Sequence, residues 1–177
     1  AAPAHAPTRP PRAYHLVGRP GGGVGWCRFC RKADKNMKLH IVARGKIGRS
    51  PEADLVERYL KRVQWQHKVT ELPDTGGEIP VTSAKPSRDV LLDERGRQLS
   101  SEQFAELLGK WQDDGVREVR FLIGAADGHG DALRGQADLL IAFGAMTWPH
   151  MMARAMLAEQ LWRASSILAG HPYHRSG

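Results

Sequence analysis

The sequence predicts an α/β domain built on a mostly parallel sheet with helices on both faces. Strand-length apolar runs alternate with amphipathic helical segments from residue 37 onward. With 41% hydrophobic and 25% charged residues, a chain of 177 residues can bury one respectable core. Five strands interleaved with helices are the pattern of a parallel sheet covered on both sides.

Lys38 to Ala43 forms the first strand and runs into a Gly-containing turn. Ser50 caps a helix with Pro51 in its first position, and Leu55, Val56, Tyr59, Leu60 and Val63 give it one apolar face. Gln66 to Leu72 is the second strand, and residues 73 to 88 form a polar loop bearing Pro and Gly. Asp89-Val90-Leu91-Leu92 is a short buried strand followed by an Asp-Glu-Arg-Gly turn. Ser100 and Gln103 make a capping box, after which a helix buries Phe104, Leu107, Leu108 and Trp111 and stops at Gly115. Val119 to Ile123 and Asp138 to Phe143 are the last two strands, and a long helix runs from about His150 to Leu168.

Residues 1 to 36 differ in kind. They are rich in Pro, then Gly, then basic residues, a composition that cannot bury enough apolar surface to offset chain entropy, so a disordered extension is expected ahead of a single domain over 37–177. The extension holds seven basic residues against one acidic, which leaves 19 basic and 18 acidic for the rest. The formal charge of +7 therefore says little about the folded part. Met37 opens the first strand and reads as a natural start; the competing reading is a basic tail that helps to hold RNA. Cys27 and Cys30 form the one C-x-x-C pair, and with no second pair a structural zinc site is not expected, nor is any other metal. No run of about 18 apolar residues is present, so no membrane-spanning helix is expected, and the cytoplasm is the default location.

Parallel sheets bind ligands beyond the carboxyl ends of their strands. That directs attention to three exits: Leu92-Asp93, Gly124 to Gly130, and Phe143 to Trp148. No phosphate-cradling fingerprint, nucleophile elbow or H-E-x-x-H motif occurs. Gly124-Ala125-Ala126-Asp127-Gly128 is either an ordinary turn or a close approach of backbone to ligand. Phe143-Gly144-Ala145-Met146-Thr147-Trp148 places apolar residues where polar turn chemistry is usual, as either a buried connection or an apolar pocket for a flat ring. On the final helix His150 and Arg154 share a face, Glu159 and Arg163 are spaced as a surface pair, and the abundance of Met, Leu and Ala suits either a core helix or a subunit contact. The tail from Gly170 to Arg175 gathers an aromatic ring, two imidazoles and a guanidinium, a set able to stack on a base, hold phosphate and move a proton.

Taken in order, Leu92-Asp93-x-x-Gly96, Ser100-Ser101-x-x-Phe104-Ala105, Phe121-Leu122-Ile123-Gly124, Thr147-x-Pro149-His150-x-x-x-Arg154, Leu157-x-Glu159-Gln160-x-x-Arg163-Ala164 and Pro172-Tyr173-His174-Arg175 resemble the ribosomal RNA large subunit methyltransferase H family. The resemblance runs from Met37 to Arg175. It implies a SPOUT fold with a C-terminal trefoil knot, and a homodimer that uses S-adenosylmethionine to methylate N3 of a pseudouridine in large-subunit (23S) ribosomal RNA on the assembled ribosome. By motif position the cofactor meets Leu92, Gly124, Phe143, Gly144, Ala145, Met146, Thr147 and Trp148. Ala125 stands where the family usually has a second glycine, and its methyl would crowd the cofactor if it faced the pocket.

Methyl transfer from a sulfonium is an in-line displacement, so the protein must chiefly align donor and acceptor. The acceptor nitrogen must also lose a proton, and His174 is the expected base because imidazole titrates near working pH. Arg154 and Arg175 are expected on phosphates, Tyr173 on a base, and His150 orienting the acceptor. Two readings from other classes compete: a non-catalytic RNA-binding or ribosome-assembly protein on the same fold, and a hydrolase using Asp127, His129 and His150.

Overall fold

The computed structural model describes residues 37–125 and 128–170. The chain runs β1 (Lys38–Arg44), α1 (Pro51–Leu60), β2 (Gln66–Leu72), β3 (Ser87–Gln98), α2 (Ser101–Asp113), β4 (Glu118–Ile123), α3 (Asp131–Gln136), β5 (Leu139–Ala142) and α4 (His150–Leu168). All five strands are parallel, in the order β2-β1-β4-β3-β5.

Alternation along the strands sorts the side chains between two faces. Leu39, Ile41 and Ala43 of β1, Val119, Phe121 and Ile123 of β4, and Val90 of β3 point into the main core, where α1, α2 and α4 pack. Val42, Leu91 and Leu122 face the other way and are covered by Leu133 of α3 together with Ile79, Ala137 and Leu140. Helices thus occupy both faces, three on one and the short α3 on the other.

Local chemistry sets the helix starts. The Ser50 hydroxyl accepts from the Ala53 N–H at 3.2 Å with Pro51 in the first turn, and Ser100 and Gln103 form the expected reciprocal capping box. Helix α1 ends at Leu60, three residues short of Val63, which still packs on the core. The Ser101 hydroxyl donates to Gln160 Oε1 at 2.8 Å, tying α2 to α4. The Glu159 carboxylate accepts from Arg163 Nε at 2.9 Å, the pair that the i, i+4 spacing indicates.

At the amino ends of the central strands a polar layer pins the 73–86 loop to the sheet. Glu118 accepts from the N–H groups of Ser83 and Ala84 at 2.6 and 3.2 Å and lies 3.4 Å from His40 Nδ1. Arg120 grips the Asp89 carboxylate and the Pro80 carbonyl. Burial is the main reason that the His40 pKa lies below its ordinary value, so the ring stays neutral and uses its second nitrogen on Thr70 Oγ1 at 2.8 Å.

The expected Asp93-to-Gly96 turn is instead part of a 12-residue strand, and its path is the unusual feature of the fold. Ile141 of β5 is in register with Leu92 and again with Arg97. A parallel strand has one partner position per edge, so β3 flanks β5 on one edge at Leu92 and on the other at Arg97. Between them the chain passes over β5 so closely that a Cβ on Gly96 would lie 2.4–2.7 Å from the backbone C, N and Cα of Ile141. This crossing accords with the C-terminal knot that the resemblance implies. Gly96→Ala is therefore expected to cost about 1–3 kcal/mol through overpacking against an immovable backbone, seen as a lower thermal midpoint. An unchanged midpoint would show that the two strands do not meet there.

Candidate functional site

The three strand exits singled out in the sequence converge on one cavity of about 570 Å³. Leu92, Asp93 and Glu94 enter it from β3, Ile123, Gly124 and Ala125 from β4, and Ile141 to Gly144 from β5. Met146, Thr147 and Trp148 close one side, and His150 and Ala153 of α4 complete it. Of the residues expected to meet a cofactor, Ala145 alone is not part of the lining. The size suits a nucleotide-sized ligand, for which about 300–1,000 Å³ is usual. A shallower depression on α1 is walled by Asp54, Glu57, Arg58, Lys61 and Arg62 alone, with none of the strand-exit residues.

Two glycines shape the β4 exit. Gly128 has φ of +72°, and a Cβ on Gly124 would sit 2.9 Å from the Gly128 carbonyl, so Gly124 is required by chain meeting chain. The Gly128 N–H donates to the Ala125 carbonyl at 2.9 Å, closing the turn. Ala125 does line the cavity, and its φ is not positive, so its methyl narrows the space without straining the backbone. The 143–148 connection is held by itself and by β3: Trp148 Nε1 donates to the Phe143 carbonyl at 3.0 Å, and the Thr147 hydroxyl donates to Glu94 Oε2 at 3.1 Å. Met146 and Trp148 stay exposed at the rim.

The cavity wall carries an ion pair that sequence reasoning missed. Arg134 Nε donates to Asp93 Oδ2 at 2.7 Å and its Nη1 to Asp131 Oδ1 at 2.9 Å, while the Arg95 N–H donates to Asp93 Oδ1 at 3.0 Å. Burial opposes the Asp93 charge, but these donors outweigh it and hold the carboxyl below the ordinary carboxylate range. His129 sits beside this group, buried and kept neutral chiefly by desolvation, with Nε2 3.1 Å from the Leu122 carbonyl. It does not line the cavity, and Asp127 lies outside the described residues, so the hydrolase constellation is not assembled among the residues described.

Arg154 also departs from expectation. Its guanidinium is 3% exposed and turned inward, where Nη1 meets Glu71 Oε1 at 2.8 Å and Nη2 donates to the carbonyls of Arg44, at 2.5 Å, and Gly45. A group spent in this way has no donor fork to offer a phosphate. His150, four residues earlier, opens α4 at the cavity, and a Cβ on Gly45 would come within 3.2 Å of its Nε2. Tyr173, His174 and Arg175 lie outside the described residues, as do Cys27 and Cys30. Among the described residues no three metal-ligating side chains converge.

The family described as "Predicted SPOUT methyltransferase" matches residues 37–174. The chain is 73% identical to the ribosomal RNA large subunit methyltransferase H of Novosphingobium aromaticivorans, over 80% of its own length and 100% of the relative's. Against the proteins of the same name from Rhizorhabdus wittichii and Paramagnetospirillum magneticum identity is 67% and 48%, over 80% and 78% of the chain and 100% and 99% of theirs. Among solved structures, a probable methylase family protein from Haemophilus influenzae superposes with a TM-score of 0.50 at 11% identity, over 80% of this chain and 71% of that one, which speaks to fold alone.

Arg134→Gln is expected to raise the pKa of Asp93, because burial then acts with less opposition. Carbon-detected NMR of the carboxyl group checks this, and an unmoved titration would show that the guanidinium does not control the charge.

Proposed function

The chain belongs to the SPOUT methyltransferases, and within them to the ribosomal RNA large subunit methyltransferase H family; on that premise we propose that it methylates N3 of a pseudouridine in 23S ribosomal RNA, using S-adenosylmethionine. We place the reaction in the cytoplasm, on the assembled ribosome, and the working unit as a homodimer. The observation that carries this reading is the convergence of all three strand exits on one cavity where the chain crosses itself.

The residues present suit the donor. The cavity combines apolar walls from Leu92, Ile123, Ile141, Phe143 and Trp148 with glycine backbone at Gly124 and Gly144, an arrangement that takes a flat heteroaromatic ring. Glu94 offers negative charge to an ammonium or a sulfonium, while Asp93 and Arg134 are paired with each other in the wall. Bound there, S-adenosylmethionine supplies an electrophilic methyl group. The protein's task is alignment: the strand ends fix one reactant, and His150 at the first turn of α4 faces the side from which the other arrives. His174 takes the acceptor's proton, Tyr173 stacks on a base and Arg175 holds phosphate. Partly buried Met151, Met152 and Met156 of α4 support a subunit contact.

Titration calorimetry of S-adenosylmethionine into the full chain and into Gly124→Trp tests the site. Binding by the parent and none by the variant is expected. No binding by the parent would overturn the reading in favour of a non-catalytic RNA-binding protein. His174→Ala is expected to lower turnover at neutral pH by about 10²–10⁴-fold, the usual worth of a general base, and to abolish the acidic limb of the pH–rate profile. Full turnover with an unchanged profile would remove His174 from that role.

A further inference from the structure

The domain's near-neutral net charge conceals a marked asymmetry. Arg44 to Lys68 contain seven basic residues and three acidic ones, a surplus of +4; the rest of 37–177 holds twelve basic and fifteen acidic, or −3. Much of that surplus is committed: Lys61 pairs with Glu57 at 2.7 Å, Arg62 lies over the Trp162 ring, and Arg44 is directed at the carbonyls of Pro73, Gly76 and Gly77. Lys46 and Arg49 are exposed and enter no ion pair among the described residues.

Both lie in the loop between β1 and α1, at the carboxyl end of β1, the sheet edge that also carries the cavity. The loop approaches the cavity-lining His150 at Gly45, where a Cβ would come within 3.2 Å of its Nε2 and 2.6 Å of Asp74 Oδ1. It is also held rigidly. Glu71 Oε1 accepts from the Ile47 N–H at 2.8 Å and from Arg154, which in turn holds the Arg44 and Gly45 carbonyls, while Ser50 fixes the far end as the cap of α1. A buried arginine and a carboxylate 83 positions apart in sequence are thus devoted to the backbone of a short loop whose outward side chains are cations.

We infer that Lys46 and Arg49 bind the phosphate backbone of the ribosomal RNA substrate beside the acceptor nucleotide, and that Arg154 and Glu71 are positioning residues which hold that loop against His150. The inference rests on the reading of the chain as a ribosomal RNA methyltransferase. A fixed pair of cations at the mouth of the site orients a polyanion without demanding a basic domain, since phosphate contacts set register while other groups select the base.

The test uses the full chain with purified bacterial ribosomes as methyl acceptor, at several salt concentrations, beside calorimetry of S-adenosylmethionine. For Lys46→Ala/Arg49→Ala the expected result is a ribosome KM raised about tenfold or more and a salt-dependence slope reduced by about 2, since each of the two cations neutralises one phosphate. The loss falls on KM rather than kcat, and methyl-donor affinity is unchanged. Arg154→Lys raises the same KM in the parent and adds little in the double variant, because it acts through the loop. Methylation by the parent with unchanged KM and salt slope in the double variant would overturn the inference alone. Absence of methyl transfer by the parent would overturn the methyltransferase reading, and the inference with it.

Discussion

Everything at the ligand-binding edge of this domain depends on one steric fact: β3 crosses over β5 with Gly96 against the backbone of Ile141. Open parallel sheets leave their carboxyl ends splayed, and the crevice between them is closed by loops of variable shape. Here a single strand serves both edges of its neighbour, so the exits of β3 and β5 cannot separate. The β4 exit is drawn in by a second close contact, between Gly124 and Gly128. One side of the cavity is therefore formed by strand ends held together at the crossing, and a site on rigid elements holds geometry better than one on loops. The connection from Phe143 to Trp148 starts half-buried and turns outward to an exposed rim at Met146 and Trp148, held by the bonds that Trp148 and Thr147 make.

Around this frame the buried charges are used as anchors. Asp93, at the point where β3 begins to cross, is held by Arg134 from α3 and by the Arg95 N–H. Glu118 and Arg120 secure the 73–86 loop at the opposite end of the strands. Arg154 and Glu71 secure the β1–α1 loop. Glu118, Arg120 and Arg154 each reach from a regular element to the backbone of a loop, where groups lack ladder partners and an ion can supply hydrogen bonds. Pairs of this kind contribute more to specifying a conformation than to raw stability, because desolvation offsets much of their attraction.

Much of this was legible in the sequence wherever local rules decide. The bounds of β2 and α4, the Ser50 cap, the capping box at Ser100 and the three strand exits follow from periodicity and cap chemistry over a few residues. What failed to show was non-local. Asp93-Glu94-Arg95-Gly96 carries the residues of a turn, yet pairing with β5 at Leu92 and again at Arg97, more than forty positions away, carries the strand across it. Helix α3 is six residues with no buried position, too short for a periodic signal. The i, i+4 spacing of His150 and Arg154 suggested a common functional face, whereas only His150 looks into the cavity. The true partner of Arg154 lies 83 positions away, and no local pattern announces it. Arg134 was invisible for the same reason, being paired across 41 positions.

The division of labour explains how a domain with so little net charge can serve a polyanionic substrate. On the proposed function, the donor side of the cavity is built largely from backbone and apolar side chains, with Glu94 and the Asp93–Arg134 pair as its charges. On the same reading, the acceptor side is left to His150 at a helix start and to the cations of the β1–α1 loop. Long-range electrostatic attraction adds rate and affinity to RNA binding but no choice of nucleotide. On the proposed function, a few cations held at fixed distances from the cavity serve such a substrate better than a broad basic face. On that reading the buried Arg154, paired with the exposed Glu71, is the means of fixing that distance.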